Sequence, residues 1–462
     1  MAEPLFSAIE RLTEFFSTAQ IEGSARRTGF VRRASKITGK VFVALVTFGQ
    51  WSTSKTSLAQ LAAKAAQLPK PGDVSPEAIY QRMNRRALAF LQDLLQTAFA
   101  KLHADDTASE EELFAPFSRV HIADSTGFGL PDTLKDLFPG AGGSGAQAGA
   151  KIQLVWDYKS HTFDHFALIP WTVPDNKYVD SVVGLARRGS LFLFDLGYFK
   201  LQAFASIAAA QAYFLSRLNH QTTLLEAVEG RVYVLELARV LASESRSLLD
   251  KAIFLGARER VAARLIAARV PEAVVNERRR TARQVAKKRG YTPSQAHLAL
   301  LAWNLFITNV PGTVWTPETV CKAYSLRWQV ELVFKSWKSG LHLATLTTKT
   351  RESTLCYLYG RLLLILLNYA LCPWLRALLW RKKHRELSLL KLVRYFQAVA
   401  DRWFQVLFQT EAELHSFLSR ACSTAERLVT KASRKRRTSA QRLRESLHTQ
   451  NDFIECTEAL AA

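Results

Sequence analysis

The chain has 462 residues, and 62 Lys+Arg against 40 Asp+Glu leave a formal net charge of +22 at pH 7. Apolar residues at 48% and charged residues at 22% are near globular averages, which excludes a wholly disordered, collagenous or low-complexity chain. At about 150 residues per domain the length suggests about three structural units, and the charge surplus points to a polyanionic partner, nucleic acid first, because phosphates relieve the self-repulsion.

The start, MAEPLFSAIERLTEFF, carries acids and no basic stretch before an apolar run, so no secretory signal is expected. Residues 1 to about 100 read as helical. Ser24 to Lys40 holds Arg26, Arg27, Arg32, Arg33, Lys36 and Lys40 with no acid, ahead of the apolar KVFVALVTFG. Ser57 opens a short Ala/Leu helix, a loop follows through Lys70-Pro71-Gly72, and Ser75-Pro76-Glu77 supplies an N-cap with proline at the first helical position. Arg82, Arg85 and Arg86 lie near the start of the next helix, which reads either as the groove-entering helix of a helix-turn-helix variant or as a solvated helical hairpin.

From Arg119 the period changes to that of strands. RVHIAD, KIQLVWDY, HFALIPWTV, SLFLFDLGY and AYFLSRLN are short β-branched and aromatic runs between turn residues, predicting a mixed sheet with Asp124 and Asp195 at strand ends. GAGGSGAQAGAK lacks the Gly-Lys-Ser/Thr of a phosphate loop and reads as surface loop. RVYVLELARV and KAIFLGA continue the strand pattern, Arg278 to Arg289 is a basic helix suited to phosphate contacts, and LLAWNLFITNVP is a further strand. Thr316-Pro317 opens a helix to about Gly340, and the basic remainder is helical, ending with the run KASRKRR. The apolar stretch Leu362 to Leu375, cut by Asn368 and Pro373, is too short for a bilayer and predicts a buried helix, so no membrane partner is expected. Cys321, Cys356, Cys372, Cys422 and Cys456 form no C-x-x-C pair, which argues against a zinc ribbon or disulfide framework and fits a reducing cytosol.

The chemistry concentrates in YSLRWQVELVFKSWKSG. Tyr324, Arg327, Glu331, Lys335 and Lys338 are spaced to share one helix face, while Leu326, Val330, Val333 and Trp337 can anchor the other in a core. With Asp124 and Asp195, Glu331 makes a set of three carboxylates from distant segments, the kind of hard-oxygen set that serves two-metal phosphoryl transfer.

The segments Asp124-Ser-Thr, Asp195-x-Gly-Tyr and Tyr324-x2-Arg327-x3-Glu331-x6-Lys338 resemble the motifs of bacterial DDE transposases of the insertion sequence four family, which includes the transposase of transposon five. The resemblance implies an α/β protein: an RNase H-like mixed-sheet catalytic core interrupted by a β-rich insertion, with helical N-terminal and C-terminal regions. The corresponding domains are 1–105, helical and DNA-binding; 106–375, the core, with 220–312 as insertion; and 376–462, a basic helical region. It implies Asp124, Asp195 and Glu331 as catalytic ligands of Mg²⁺, with Mn²⁺ as substitute. Tyr324, Arg327, Lys335 and Lys338 would hold the transposon end, Arg217 would contact terminal DNA, and Trp303 would stack a flipped base. The expected partners are double-stranded DNA, as terminal inverted repeats and target, and a second copy in the DNA complex; the expected location is the bacterial cytoplasm. The expected reaction is cut-and-paste cleavage and joining, with an RNase H-like nuclease lacking strand transfer and a non-catalytic DNA-binding regulator as the alternatives.

Overall fold

Side-chain caps punctuate the first hundred residues into helices, as the sequence led one to expect. The computed structural model describes residues 3–51, 56–68, 73–102, 112–142, 146–343, 345, 346, 348 and 350–431. Helices α1 (Glu3–Phe15), α2 (Thr18–Arg27), α3 (Gly39–Val46), α4 (Phe48–Trp51), α5 (Leu58–Ala66), α6 (Pro76–Arg82) and α7 (Arg85–Leu102) follow one another. Ser17, Thr38, Ser57 and Ser75 each accept a hydrogen bond from the backbone N–H three residues on, and Ser57 and Gln60 form a reciprocal capping box. The loop Lys70-Pro71-Gly72, most of the KASRKRR run and Cys456 lie outside the described residues.

A mixed sheet follows, built from β1 (Val120–Leu130), β2 (Ala148–Asp157), β3 (Thr162–Pro170), α8 (Asp175–Val183), β4 (Leu191–Phe194), α9 (Leu201–Ala209) and β5 (Tyr213–Arg217). The next segment adds β6 (Leu224–Val228), β7 (Arg231–Val234), α10 (Leu237–Ser243), β8 (Leu248–Leu255), β9 (Val261–Arg269), α11 (Glu272–Lys288), α12 (Gln295–Leu300) and β10 (Trp303–Thr308). All ten strands form one sheet in the order β3-β2-β1-β4-β5-β10-β9-β8-β6-β7. β1 is antiparallel to β2 and parallel to β4, and β4 is parallel to β5. The order 3-2-1-4-5 with two parallel pairings is the RNase H-like arrangement. Strands β6 to β10 continue that sheet, because β10 pairs antiparallel with β5.

Three details differ from the sequence reading. Asp124 is not at a strand end: β1 runs six residues further, to Leu130, because the antiparallel partner β2 is longer than the parallel partner β4. The Gly-rich run is loop only in its first part, since Ala148 to Lys151 are in β2, and residues 143–145 lie outside the described set. In RVYVLELARV only Arg231–Val234 is strand, and Leu237 onward is α10.

The chain closes with α13 (Pro317–Tyr324), α14 (Trp328–Gly340), α15 (Arg351–Ala370), α16 (Cys372–Lys383), α17 (Leu389–Ala398), α18 (Ala400–Val406) and α19 (Glu411–Leu428). A 3₁₀ turn, Ser325–Arg327, interrupts the helix expected from Thr316 to Gly340. Strand β4 shows how the sheet divides the core: Leu191 and Leu193 face the helices α14 and α15, whereas Phe192 and Phe194 face α8 and α9. Helices from both chain ends share the first of these layers. α7 packs along α15 through its buried face of Phe90, Leu91, Leu94 and Ala98, so it is a core helix rather than one free to enter a groove. By length and composition Arg351–Lys383 is long and apolar enough to cross a bilayer, but most of it is buried within the protein. Its contact with α3 is so close that a Cβ on Gly360 would fall 2.2 Å from the Val46 carbonyl oxygen.

Candidate active site

Parallel pairing is what puts two aspartates side by side. The β1–β4 ladder ends at the Ala123–Phe194 pair, so Asp124 and Asp195 are each the next residue on adjacent parallel strands. Asp195 leaves the sheet as the residue that precedes a 3₁₀ turn, Leu196–Tyr198. Both side chains are half-buried.

Glu331 reaches them from the other direction. Leu326, Val330, Val333 and Trp337 are buried and seat the helical segment on the core, leaving Arg327, Glu331, Lys335 and Lys338 on the opposite side. Arg327 ties the pieces together: its Nη1 donates to Asp124 Oδ2 at 3.1 Å and its Nη2 to Glu331 Oε1 at 2.8 Å. Burial of Arg327 alone would lower its pKa, but Tyr324, Asp195, Asp124 and Glu331 around it raise the pKa overall. Burial pushes the Asp124 carboxyl up to about 7, against the lowering effects of Arg327 and the Ser125 backbone N–H, while Asp195 and Glu331 add to the rise. A single guanidinium therefore does not fully offset the charge of this cluster.

That imbalance tests the fit of divalent cations. Three carboxylates of hard-oxygen chemistry surround one cation, Arg327, which leaves negative charge over for further cations. Among the described residues no three His, Cys, Asp or Glu side chains close on a single ion as they stand. Mg²⁺ asks less than that, since it is held by one or two carboxylates with water and substrate phosphate completing the shell. The donor set fits such ions.

The remaining sequence candidates divide. Tyr324 is buried rather than facing solvent: its hydroxyl donates to the Phe194 carbonyl at 3.3 Å, its ring lies 5.0 Å from Phe306, and burial raises its pKa. It thus fixes the end of β4 beside Asp195. Arg217, at the end of β5, has its guanidinium carbon 6.0 Å from the Tyr324 ring centre and so borders the site. Lys335 and Lys338 are exposed on α14. Trp303 is corrected to a core residue: it is 5% exposed and Arg269 lies over its ring at 4.6 Å, leaving no face for a base. Trp328, passed over in the sequence, is 55% exposed next to Arg327. Its signal was present, because a helix position adjacent to the Arg327–Glu331 face and off the Val330–Trp337 stripe points to solvent. Trp171 is also exposed, lying across β1 so closely that a Cβ on Gly127 would fall 2.2 Å from its ring.

Further out, Arg26, Arg32, Arg33, Lys36 and Lys40 line one groove of about 780 Å³. Arg27 instead pairs with Asp93 at 2.5 Å. Arg82 is corrected to a structural residue: it donates to the Ile37 carbonyl at 3.0 Å and lies 4.1 Å over Phe30. Arg85 and Arg86 are exposed. On α11, Arg278 and Arg279 bond to Asn304 and to the Leu298 carbonyl, while Arg280, Arg283, Lys287, Lys288 and Arg289 face outward.

The family profile described as "Transposase DDE domain" matches residues 115–367. The transposase for insertion sequence element IS231B of Bacillus thuringiensis subsp. berliner is 28% identical, with 90% of each chain covered. The transposase for IS1151 of Clostridium perfringens is also 28% identical, covering 88% of this chain and 90% of that one. Among solved structures, the piggyBac transposase synaptic complex with hairpin DNA aligns over 91% of this chain and 85% of its own, at 10% identity and a TM-score of 0.47.

Proposed function

This chain belongs to the transposases with a DDE domain, DNA-cleaving and strand-transferring enzymes, and on that premise we propose that Asp124, Asp195 and Glu331 form its catalytic centre. The observation that carries the reading is the register: two aspartates meet at the end of the β1–β4 ladder, with a glutamate linked to one of them through Arg327. The finer assignment to the insertion sequence four family, with a transposon-five-like reaction, rests on the Tyr324, Arg327, Glu331 and Lys338 spacing.

The family works with divalent metal ions, and Mg²⁺, replaceable by Mn²⁺, suits the three carboxylates here. When bound, such ions supply Lewis-acid activation of water or a 3′-hydroxyl and stabilise the leaving oxygen. Asp124 and Asp195 hold the fixed side of the centre, since Asp124 is paired within β1 and Asp195 directly follows the paired end of β4. Glu331 brings the third carboxylate on a helix whose opposite side is locked in the core. Arg327 balances the carboxylates and, with exposed Lys335 and Lys338, binds the phosphates of the DNA end, where positive charge offsets the developing negative charge. Trp328, exposed beside Arg327, replaces Trp303 as the aromatic suited to stacking on an unpaired base.

DNA is the substrate; terminal inverted repeats, a target site and a second copy pairing two ends complete the proposed assembly, acting in the bacterial cytoplasm. The groove lined by Arg26, Arg32 and Arg33, together with Arg85, Arg86 and α11, would hold the duplex by its phosphates. Domain boundaries at residues 105 and 375 would separate the DNA-binding, catalytic and C-terminal parts. The test is cleavage of end DNA with Mg²⁺: Asp124→Asn, Asp195→Asn and Glu331→Gln should each abolish it while gel-shift binding persists. Near-normal nicking by any one of the three would remove that residue from the centre.

A further inference from the structure

Behind the proposed catalytic carboxylates, on the opposite face of the sheet, lies a half-buried polar cluster. The pairing register places Ser125 beside Gln153 and Gly127 beside Lys151, and strand alternation points these residues away from Asp124. All three side chains converge on one oxygen of Asp175, the first residue of α8. Gln153 Nε2 donates to Asp175 Oδ1 at 2.7 Å, Ser125 Oγ at 3.0 Å and Lys151 Nζ at 3.1 Å. Gln153 Oε1 in turn accepts from the hydroxyl of Tyr198. The amide orientation is dictated by its partners, because a carboxylate only accepts and the free end must take the Tyr198 proton. Gln153 and Tyr198 are 0% and 1% exposed, so neither hydrogen bond has a water substitute.

Each end of this chain of hydrogen bonds is covalently close to a catalytic aspartate. Ser125 follows Asp124, and its backbone N–H donates to Asp124 Oδ1 at 2.8 Å. Tyr198 ends the 3₁₀ turn entered from Asp195, and Gly197 within that turn lies against Asp175: a Cβ there would be 3.4 Å from Asp175 Oδ2. The serine of the Asp124-Ser-Thr segment and the glycine of the Asp195-x-Gly-Tyr segment therefore meet at one carboxylate from a third part of the chain, and the tyrosine reaches it through Gln153.

We propose that Asp175, Gln153 and Tyr198 are positioning residues that bridge the β1 strand to the turn after β4 and so fix Asp124 and Asp195 relative to each other. This rests on the reading of the two aspartates as metal ligands. Two neighbouring carboxylates repel when ionised, and a site loosened by even half an ångström loses ligand geometry. The bridge resists that separation from behind.

The test is calorimetric Mn²⁺ titration of the full chain with pre-cleaved end DNA, alongside single-turnover cleavage. Tyr198→Phe, which keeps the ring on Phe194, and Asp175→Asn should each weaken Mn²⁺ binding about fivefold or more and lower kcat at least tenfold, with KM for end DNA unchanged. Ser125→Thr, which keeps the hydroxyl, should retain both values. Leu418→Ala, buried in α19, should lower the melting temperature and leave Mn²⁺ affinity intact. Wild-type Mn²⁺ affinity in Tyr198→Phe and Asp175→Asn, or losses no larger than those of Leu418→Ala, would overturn the bridge. Asp195→Asn separates the two ideas. If it loses Mn²⁺ binding while Tyr198→Phe does not, only the bridge falls; if it binds Mn²⁺ normally, the ligand reading falls and takes the bridge with it.

Discussion

Strands β4 and β7 are equally short and have opposite fates. LFLF in β4 is buried at every position, whereas RVYV in β7 is exposed at every position. Phe192 and Phe194 in β4, and Val232, Tyr233 and Val234 in β7, all favour a strand. The difference is location: β4 lies between two parallel neighbours with helices on both faces, and β7 is the last strand of the sheet, paired on one side only. Parallel strands joined by crossover helices end at the same edge, so the residues just past them converge. That edge carries Asp124 and Asp195, whereas the antiparallel end of the sheet carries basic helices. On the proposed reading, chemistry sits where strand ends align, and exposed positive charge on α11 sits where they do not.

The largest expected effect follows from that contrast. Asp195→Asn, one residue past β4, should lower single-turnover cleavage by about 10³-fold or more, while Tyr233→Ser on β7 should change it less than about twofold. Comparable losses from the two would dissolve the distinction. For stability the same pair of strands should differ by a smaller margin. Leu193→Ala, fully buried in β4, should cost about 2–5 kcal/mol in denaturant unfolding, and Val232→Ala on β7 about 0.5 kcal/mol or less.

A third measurement concerns pH. Asp124 has its pKa raised by burial to about 7 in the fold, against about 3.9 for a free aspartate. Between these values the unfolded chain has lost the proton and the folded one keeps it, so this residue makes stability fall as pH rises from about 4 to about 7. Asp124→Asn should therefore raise metal-free stability at pH 7.5 by about 1–3 kcal/mol and have little effect at pH 4. By the same linkage, Mn²⁺ affinity of the unsubstituted protein should climb with pH until Asp124 is ionised. A stabilisation equal at both pH values would point to packing instead.

The smallest effect belongs to the exposed cations of α11. Arg283→Ala should leave the rate of chemistry unchanged, weaken DNA binding less than about tenfold, and reduce the salt slope by about one unit. Arg327→Ala, by contrast, should impair cleavage more than binding. If Arg283→Ala lowered kcat, the insertion would have to be counted as part of the catalytic end.

Much of the candidate site was legible because its cues are local. Spacing at 3.6 residues per turn separated the Arg327–Glu331 side of the helix from the Val330–Trp337 side, and capping residues marked Ser57, Ser75 and Thr316 as helix starts. Misreadings arose wherever a long-range partner decided the outcome. Asp124 looked like a strand end because polar residues follow it, yet β2 pairs the strand on to Leu130. Trp303 is buried because Arg269 and the neighbouring strand cover it. Arg82 is spent on Phe30 and the Ile37 carbonyl, contacts with a segment about forty-five residues earlier.

The sequence by itself determined the helical start and finish, the strand-rich middle, the basic charge and the motifs that single out three acids, since these depend on composition, periodicity and spacing. Only the tertiary structure decided that Asp124 and Asp195 stand one step past the same ladder, that Arg327 joins Asp124 to Glu331, and that Asp175 accepts from Ser125, Lys151 and Gln153 behind them. The physical reason is that register and packing are set by pairs of segments, and no segment carries its partner's position in its own residues.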